Sequence, residues 1–467
     1  MENLDVLNLT IKLALRSSRL ACGILFVLAH ATHAQTLMFD AFDDCDDVEW
    51  RRIDGFNGKP WGPTQYELVP EASGDSCSYR LASSDIVTDS GELFSGYTYS
   101  AWQPAVSSDY DNGYVRLRAV IETQGTGVGI GMRNVGSAYT MGLNSANGHA
   151  WIVLADGTAT PASLDGIAYQ SGYFSQADTW WLQAGADGPD FSLKYWKAGE
   201  PEPLLPQLTA TDETFGTGRF FIMAGNGTTD GVVTSALFDE IQFTVTEPTI
   251  TSSQVSLVVP HEYARAEDAT QSGSDFDMTN GAHFQELFPA DEFQIVPSSH
   301  RWITGIRFRP DASVDIGAFL TEHRTITLST TQANVDDLSM TFADNRGSDE
   351  TLVFDGELSV EASAASIVDG PRDFEIVYNF DRPFYYDPSM GNLLAEVVIA
   401  PNGDLAFPFD THGKFGSSLI GTLDANATEA NGAIAGTVTE FIFTVPEPTY
   451  PMVVICAALL PFVRRQR

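Results

Sequence analysis

Basic residues are scarce in this sequence. Only 25 lysines and arginines stand against 62 aspartates and glutamates, which gives a formal net charge of -37. Proteins bind nucleic-acid phosphates and anionic lipid headgroups through lysine and arginine, so this balance argues against both as partners. An acidic surface suits a protein that stays soluble outside the cell, where salt screens its self-repulsion. We therefore expect an exported protein.

Cysteine is also scarce, with four residues in 467: Cys22, Cys45, Cys77 and Cys456. The first and the last lie in terminal apolar segments that we expect to stay outside the folded body. No C-x-x-C occurs, so neither a zinc ribbon nor a redox dithiol is indicated. The remaining even pair, in a protein bound for an oxidising compartment, predicts one disulfide between Cys45 and Cys77.

Catalytic motifs are missing as well. The chain has no H-E-x-x-H, no G-x-S-x-G and no E-x-D-x-x-E, the strand motif of concanavalin-type glycosidases. Its histidines are scattered without ligand spacing. Asp239 and Glu240 are adjacent, so on a regular strand they would point to opposite faces. We predict no catalytic site, and keep a carbohydrate hydrolase as the alternative.

The N-terminus has the three parts of an export signal. Arg16 and Arg19 precede an apolar run over residues 20–31, and small residues lead to Ala34. This pattern predicts a signal peptide over residues 1–34, so that the mature protein begins at Gln35. The apolar run is too short to span a bilayer as a helix.

The C-terminus combines a Pro-Glu-Pro motif, an apolar stretch and a basic end: Pro446, Glu447, Pro448, residues 450–463, Arg464, Arg465 and Arg467. It resembles the PEP-CTERM sorting signal of Gram-negative, exopolysaccharide-producing bacteria. The resemblance implies processing by an exosortase, a membrane-embedded enzyme. The stretch spans roughly 20 Å as a helix, against about 30 Å of hydrocarbon. We expect a transient inner-membrane segment, with its basic end in the cytoplasm, and a permanent anchor is the alternative.

Short alternating runs separated by Gly, Asp, Asn, Ser and Pro clusters fill the body, as in sandwiches and jelly rolls. Residues 114–121, 191–196 and 374–380 show the alternation best. The prediction is an all-β protein with two antiparallel β-sandwich, jelly-roll-like domains over residues 35–247 and 250–445. The sorting signal with its short apolar helix follows over 446–467.

A Trp180-Trp181 strand, a Lys194-Tyr195-Trp196 hairpin and a closing strand around Asp239 resemble the second half of a LamG-like, concanavalin-type jelly roll. The resemblance covers about residues 175–245. The resemblance implies two curved antiparallel sheets. Members of this broad group bind carbohydrate or protein, and some relatives hydrolyse glycosides. The second domain resembles a β domain of many PEP-CTERM proteins in residues 306–311, 326–331, 337–345, 383–388 and 391–394. This resemblance implies architecture and lifestyle rather than chemistry. We expect a non-catalytic cell-surface or extracellular-matrix protein whose first domain binds exopolysaccharide.

Two candidate sites follow from the first domain. Aspartates crowd its first strand, and pairing of the first and last strands would bring Asp43 near Asp239, so that the two carboxylates could hold calcium. A solvated acidic edge is the alternative. Aromatic platforms for a sugar are the second candidate, although most of the tryptophans are expected in the core: Trp50, Trp61, Trp102, Trp151, Trp180, Trp181 and Trp196.

Overall fold

A computed structural model gives the protein's architecture. It describes residues 36–53, 55–56, 59–60, 65–72, 76–83, 86–87, 93–94, 97–102, 109–134, 137–155, 162–169, 172–226, 232–266, 280–311, 319–361, 371–401, 409–416 and 418–445. The predicted signal peptide and sorting tail, with Pro446, Glu447, Pro448, Arg464 and Arg465, lie outside the described residues. None of the helices in these ranges is long and apolar enough to cross a membrane.

The N-terminal half consists of short strands: β1 (Thr36–Asp40), β2 (Trp50–Ile53), β3 (Gly55–Phe56), β4 (Lys59–Pro60), β5 (Gln65–Pro70), β6 (Cys77–Ser83), β7 (Ile86–Val87), β8 (Leu93–Phe94), β9 (Tyr97–Trp102), β10 (Gly113–Ile121), β11 (Thr126–Asn134), β12 (Ala138–Asn144), β13 (His149–Ala155), β14 (Ala162–Ala168), β15 (Thr179–Asp187), β16 (Asp190–Lys197), β17 (Glu202–Pro203), β18 (Leu208–Thr211), β19 (Arg219–Asn226) and β20 (Thr234–Thr244).

Most of these strands form the two antiparallel sheets of one sandwich, while β3 pairs with β4, and β7 with β8, in two-stranded sheets of their own. The first sheet has the order β18-β16-β15-β10-β20-β6-β5, with β1 also paired to β20, and the second has the order β14-β13-β12-β11-β19-β9-β2. The alternation in β10 explains the core, since Val115, Leu117 and Ala119 are fully buried between the sheets. The residues between them point to the outer face of the first sheet, the face turned away from the core.

Strand β11 carries glycines at every second position, and they face outward from the second sheet. A Cβ at Gly131 would lie 2.0 Å from the ring of Phe221, and one at Gly127 would lie 2.9 Å from the hydroxyl of Tyr97. The glycines therefore leave room for aromatic rings that lie against the strand. They serve packing.

The C-terminal half is built from further strands, 3₁₀ turns and one short helix: β21 (Gln254–Val259), His261–Ala264, β22 (Ala282–Phe288), Ala290–Phe293, Ser298–His300, β23 (Trp302–Phe308), β24 (Phe319–Thr331), Val335–Asp337, α1 (Phe342–Asn345), β25 (Thr351–Glu361), β26 (Ile376–Tyr385), β27 (Asn392–Ile399), β28 (Thr411–His412), β29 (Leu419–Thr422), β30 (Gly432–Ile434), β31 (Gly436–Thr437) and β32 (Thr439–Thr444).

Two sheets again enclose a core. Their orders are β17-β21-β32-β23-β26 and β25-β24-β27-β22-β29-β30. Phe288, Ile306, Ile326 and Phe441 pack between them. The predicted fold class is confirmed for the described residues, whose regular secondary structure is almost entirely strands, paired into sandwiches.

Strand β17 belongs by sequence to the first half and by pairing to the second. Glu202 pairs in parallel with Val255, and Pro203 pairs with Ser256. The amide of Leu204 donates to the carbonyl of Ser256 at 2.9 Å, and its side chain joins the second core. The two sandwiches therefore share one sheet across the predicted boundary near residue 248.

Candidate functional site

The outer face of the first sheet carries a continuous row of polar and aromatic residues. Phe39 on β1 pairs with Gln242 on β20, which pairs with Arg116 on β10. Arg116 pairs with Gln183 on β15, and Gln183 pairs with Lys194 on β16. Because residues in register share a face, all five side chains belong to one line across the sheet.

A cavity of about 450 Å³ opens on this row. Phe39, Arg116, Gln242 and the neighbouring Trp181 line its floor, and the segment from Pro248 to Ser252 lines another side. Phe39 is 60% exposed, and Trp181 is half-buried. The cavity therefore combines aromatic surface with amide, hydroxyl and guanidinium groups, in the size range of small-molecule sites.

Arg116 is fixed beside this cavity by rings on one side and a carboxylate on the other. Its guanidinium lies 5.1 Å from the ring centroid of Trp181 and 4.8 Å from that of Trp196. It donates to the Glu202 carboxylate at 3.1 and 3.3 Å, to which Lys194 donates at 2.8 Å. Burial opposes ionisation of Glu202, but Lys194 and Arg116 outweigh it and lower its pKa.

A second ionic cluster lies next to the first, and it corrects the prediction for Asp239 and Glu240. Both carboxylates contact the Arg118 guanidinium: Asp239 bonds to Nη2, and Glu240 lies 3.1 Å from Nε. The register of β20 shifts here, and Glu240 has a φ of 49°. This bulge inserts one residue between inward-facing Phe238 and Ile241, so the adjacent acids share the outer face.

The predicted calcium site is not found among the described residues. Asp43 lies on the exposed turn after β1, while the Asp239 carboxylate is bonded to Arg118. In the described ranges no three His, Cys, Asp or Glu side chains are grouped to hold a metal ion. The pairing of β1 with β20 was expected and is present, but an arginine satisfies the aspartate there.

Cys45 and Cys77 are joined by a disulfide with 5.1 Å between their Cα atoms. The bond connects the turn after β1 to the first residue of β6. Next to it, the amide of Cys77 donates to the carbonyl of Phe42 at 3.1 Å. The disulfide therefore fixes the strand that carries Phe39 against the body of the sandwich.

The tryptophans divide between core and outer face. Trp50, Trp102 and Trp180 lie in the first core. Trp151 belongs to a separate aromatic cluster on the second sheet, and Trp61 lies outside the described residues. Trp196 is buried beside Arg116. Among these candidates Trp181 is the one that lines the cavity described above.

The buried histidine nearest to a carboxylate has no free nitrogen for catalysis. His283 Nε2 lies 2.7 Å from Glu396, and its Nδ1 lies 2.9 Å from the carbonyl of Ala427. Both ring nitrogens are therefore engaged by groups of the protein itself. Glu396 also accepts from Gln285 at 2.7 Å and from Arg346 at 2.6 Å. This network is structural.

Sequence reasoning missed Phe39 and Gln242 as cavity residues. A signal for Trp181 was present, because adjacent tryptophans on a strand must face opposite ways. With Trp180 in the core, its neighbour has to face outward. The sequence held no comparable signal for Phe39. Its exposure depends on the tertiary pairing of β1 with residues 241–244 of β20, which places Phe39 on the outer face of the sheet.

Comparisons with known proteins give no family. No family model matches the sequence, and no curated protein matches it. Solved structures do show likeness. The carbohydrate-binding module CBM66 from Bacillus subtilis has a TM-score of 0.29 and 11% identity, covering 42% of this chain and 95% of its own. A Bacillus licheniformis β-glucanase has a TM-score of 0.30 and 11% identity, covering 46% and 99%.

The exoplasmic/lumenal domain of VIP36, in a form bound to Ca²⁺ and Man3GlcNAc, has a TM-score of 0.31 and 10% identity. The alignment covers 45% of this chain and 90% of that one. TM-scores and sequence identities this low do not support assigning the function of these proteins to this chain. The assignment of a jelly-roll-like sandwich rests on the strand order and core of the protein itself.

Proposed function

We propose that the protein is an exported, non-catalytic cell-surface or extracellular-matrix protein that binds polysaccharide in the cavity around Phe39 and Trp181. The observation that carries the proposal is the exposed aromatic surface beside a row of hydrogen-bonding groups. A sugar ring has one apolar face and a rim of hydroxyls, so it matches such a surface. Aromatic side chains with large accessible faces supply much of the binding energy in sites of this kind.

A carbohydrate hydrolase is the second candidate. The residues that line the cavity do not favour this activity. Glycoside hydrolysis uses two carboxyl groups, one on each side of the scissile bond. Glu240 supplies the one carboxyl group among the residues that line this cavity, and it is paired with Arg118. We therefore assign the cavity to binding.

Export is supported by the N-terminal signal pattern and by the disulfide, which suits an oxidising compartment. The C-terminal motif supports an exosortase-type processing enzyme as a partner, with brief residence in the inner membrane. On this proposal the mature protein from its native host begins near Gln35 and lacks Arg464 and Arg465. Intact mass measurement of the surface-exposed protein tests both ends.

Binding is tested by affinity gel electrophoresis of the mature body through a panel of soluble polysaccharides: glucan, xylan, mannan, galactan and alginate. Phe39→Ala should weaken binding about tenfold, which corresponds to roughly 1.4 kcal/mol. The matched control is Tyr385→Ala, because Tyr385 is 48% exposed on the second sandwich. This control should bind like the wild type.

Two results would overturn the proposal. If no polysaccharide of the panel retards the protein, or if Phe39→Ala and Tyr385→Ala bind equally well, the cavity is not the site. Release of reducing ends during incubation with a bound polysaccharide would instead favour the hydrolase. A melting curve of each variant shows whether a lost interaction reflects lost folding.

A further inference from the structure

A second cavity of about 290 Å³ lies on the same outer face. Its lining includes Ser78 on β6, Leu237 and Asp239 on β20, and Arg118 and Val120 on β10. Val120 pairs with Leu237 and Arg118 pairs with Asp239, so these four residues occupy two neighbouring rows of the sheet. The second cavity is therefore built on the two central strands that also form the floor of the first.

Strand β10 gives the spacing of the two cavities. Arg116 lines the first cavity, whereas Arg118 and Val120 line the second. Residues two apart on a strand face the same way and lie roughly 7 Å apart, so Arg116 and Val120 are separated by about 14 Å. This distance is longer than one sugar ring and suits several linked rings. The cavities are close enough for one extended chain to occupy both.

The charges between the cavities restrict what that chain can be. Arg118 is the cation at their junction, and three carboxylates face it: Asp239, Glu240 at 3.1 Å and Glu71 at 3.9 Å. The junction thus carries an excess of two negative charges. Arg116 and Lys194 share the single Glu202 carboxylate, so their cluster keeps one positive charge, but both cations are buried against that carboxylate. No cation on this part of the face is left without a carboxylate partner to attract an anionic group.

We infer that the ligand is an extended neutral polysaccharide that occupies both cavities, with the Arg118 cluster beneath the chain. The inference rests on the proposed function and adds the length and the charge of the ligand. Carboxylated chains are disfavoured, because their groups would meet Glu71, Asp239 and Glu240 across a short distance. A neutral chain meets no such repulsion and can accept hydrogen bonds from Arg118.

The charge is tested with the hexose polysaccharide of the panel that binds most tightly, a glucan, mannan or galactan with free C6 hydroxyls, and with the same polysaccharide oxidised at C6 to carboxylates. Calorimetric titration of the mature body at low salt should show at least tenfold weaker binding of the oxidised form. The gap should narrow in 0.5 M NaCl, where the Debye length falls to about 4 Å. Equal or tighter binding of the oxidised chain, or retardation by alginate alone, would overturn the inference.

The length is tested with fragments of the same polysaccharide from two to eight units. The affinity of the wild type should rise with fragment length. Val120→Trp, which fills the second cavity, should lower the affinity for the longest fragments at least tenfold and leave the affinity for the shortest fragments unchanged. Val377→Trp is the control, since Val377 is also half-buried on a strand, in the second sandwich.

The outcomes separate the two ideas. Binding that depends on Phe39 but is unchanged by Val120→Trp leaves the proposed function standing and removes the second cavity from it. Absence of binding to every polysaccharide removes the proposed function itself. Melting temperatures equal to that of the wild type exclude misfolding of either tryptophan variant as the cause.

Discussion

The first sandwich contains a disulfide between the turn after β1 and the start of β6, whereas residues 250–445 contain no cysteine. The second sandwich holds two buried glutamates in hydrogen-bond networks. Glu396 bonds to His283, Gln285 and Arg346, and Glu286 accepts from the amide and the hydroxyl of Thr437, each at 2.6 Å. Reductant breaks a disulfide and moderate acid does not. The stability that buried carboxylates contribute changes with pH and is unaffected by reductant.

The two glutamates also differ from each other, although they lie on the neighbouring strands β22 and β27. Burial opposes ionisation of both. For Glu396, hydrogen bonds from His283, Arg346 and Gln285 outweigh burial and lower its pKa to about 2. For Glu286, burial prevails over the two bonds from Thr437 and raises its pKa to about 8. Glu396 has three donors, one of them a charged guanidinium, whereas Glu286 has only the two neutral donors of Thr437, so burial prevails at Glu286 alone.

The largest expected effect concerns the first sandwich. Replacing both Cys45 and Cys77 by serine should reduce its stability by about 3–4 kcal/mol, because the bond closes a loop with a sequence separation of 32. Hydrogen exchange read by mass spectrometry should show faster exchange in residues 113–121 and unchanged exchange in residues 351–357. Equal acceleration in both would break the comparison and show that the sandwiches open as one unit.

The same substitution at the two glutamates should give different results at pH 7. Glu396→Gln removes the charge from a buried partner of His283 and Arg346, so we expect a loss of about 3 kcal/mol. Glu286→Gln replaces a group that is already neutral and should stay within about 1 kcal/mol of the wild type. Urea unfolding of the two variants measures this, and similar losses would contradict the assigned charge states.

The pH dependence gives the smallest effect. The folded state of the wild type holds the Glu286 proton up to about pH 8, while the unfolded state releases it near 4.5. Stability therefore falls as pH rises through this window. Glu396 acts in the opposite sense, since its stabilisation is complete above 4.5 and is lost as pH falls towards 2.

Burial also raises the pKa of Asp373, to about 6, and lowers the pKa of His149 and of His261 from 6.5, so the interval from pH 7 to 8 isolates Glu286 best. There the stability of the wild type should decline by at most about 1.4 kcal/mol per pH unit. Glu286→Gln should flatten the decline. His412, which also lies against Gly436 beside Glu286, is the nearby titratable group to control. An unchanged slope in the variant would assign the decline to another group.

The features that could be predicted from the sequence are those that depend on the two-residue period of a β-strand. Residues 114–121 fall within β10, and the alternating residues Val115, Leu117, Ala119 and Ile121 are fully buried, as predicted. Residues 374–380 fit less well, because the strand begins at Ile376. Residues 191–196 alternate as predicted, yet Lys194 and Trp196 are buried too. Glu202 packs on the outer face of the sheet over Lys194. The alternation within a single strand cannot show that another segment of the chain covers its outward-facing residues.

The candidate site depended on features that strand periodicity does not report. A bulge at Glu240 turned two adjacent acids to one face, against the expectation of opposite faces. The carboxylate of Asp239, one of the two residues predicted to hold calcium, contacts the guanidinium of Arg118. Both events come from tertiary pairing between β10 and β20, whose members are separated by more than a hundred residues of chain.

The two-residue strand β17 limits how the protein can be divided into modules. It occupies the edge of the sheet next to β21, so a fragment that starts at residue 250 would lose this cover and leave backbone groups of Val255 and Ser256 unpaired. Open sheet edges recruit other chains. Leu204 would leave the core of the fragment as well. A genetic exchange that transplants the second sandwich intact must therefore carry residues 202–204 with it, although they are encoded within its neighbour.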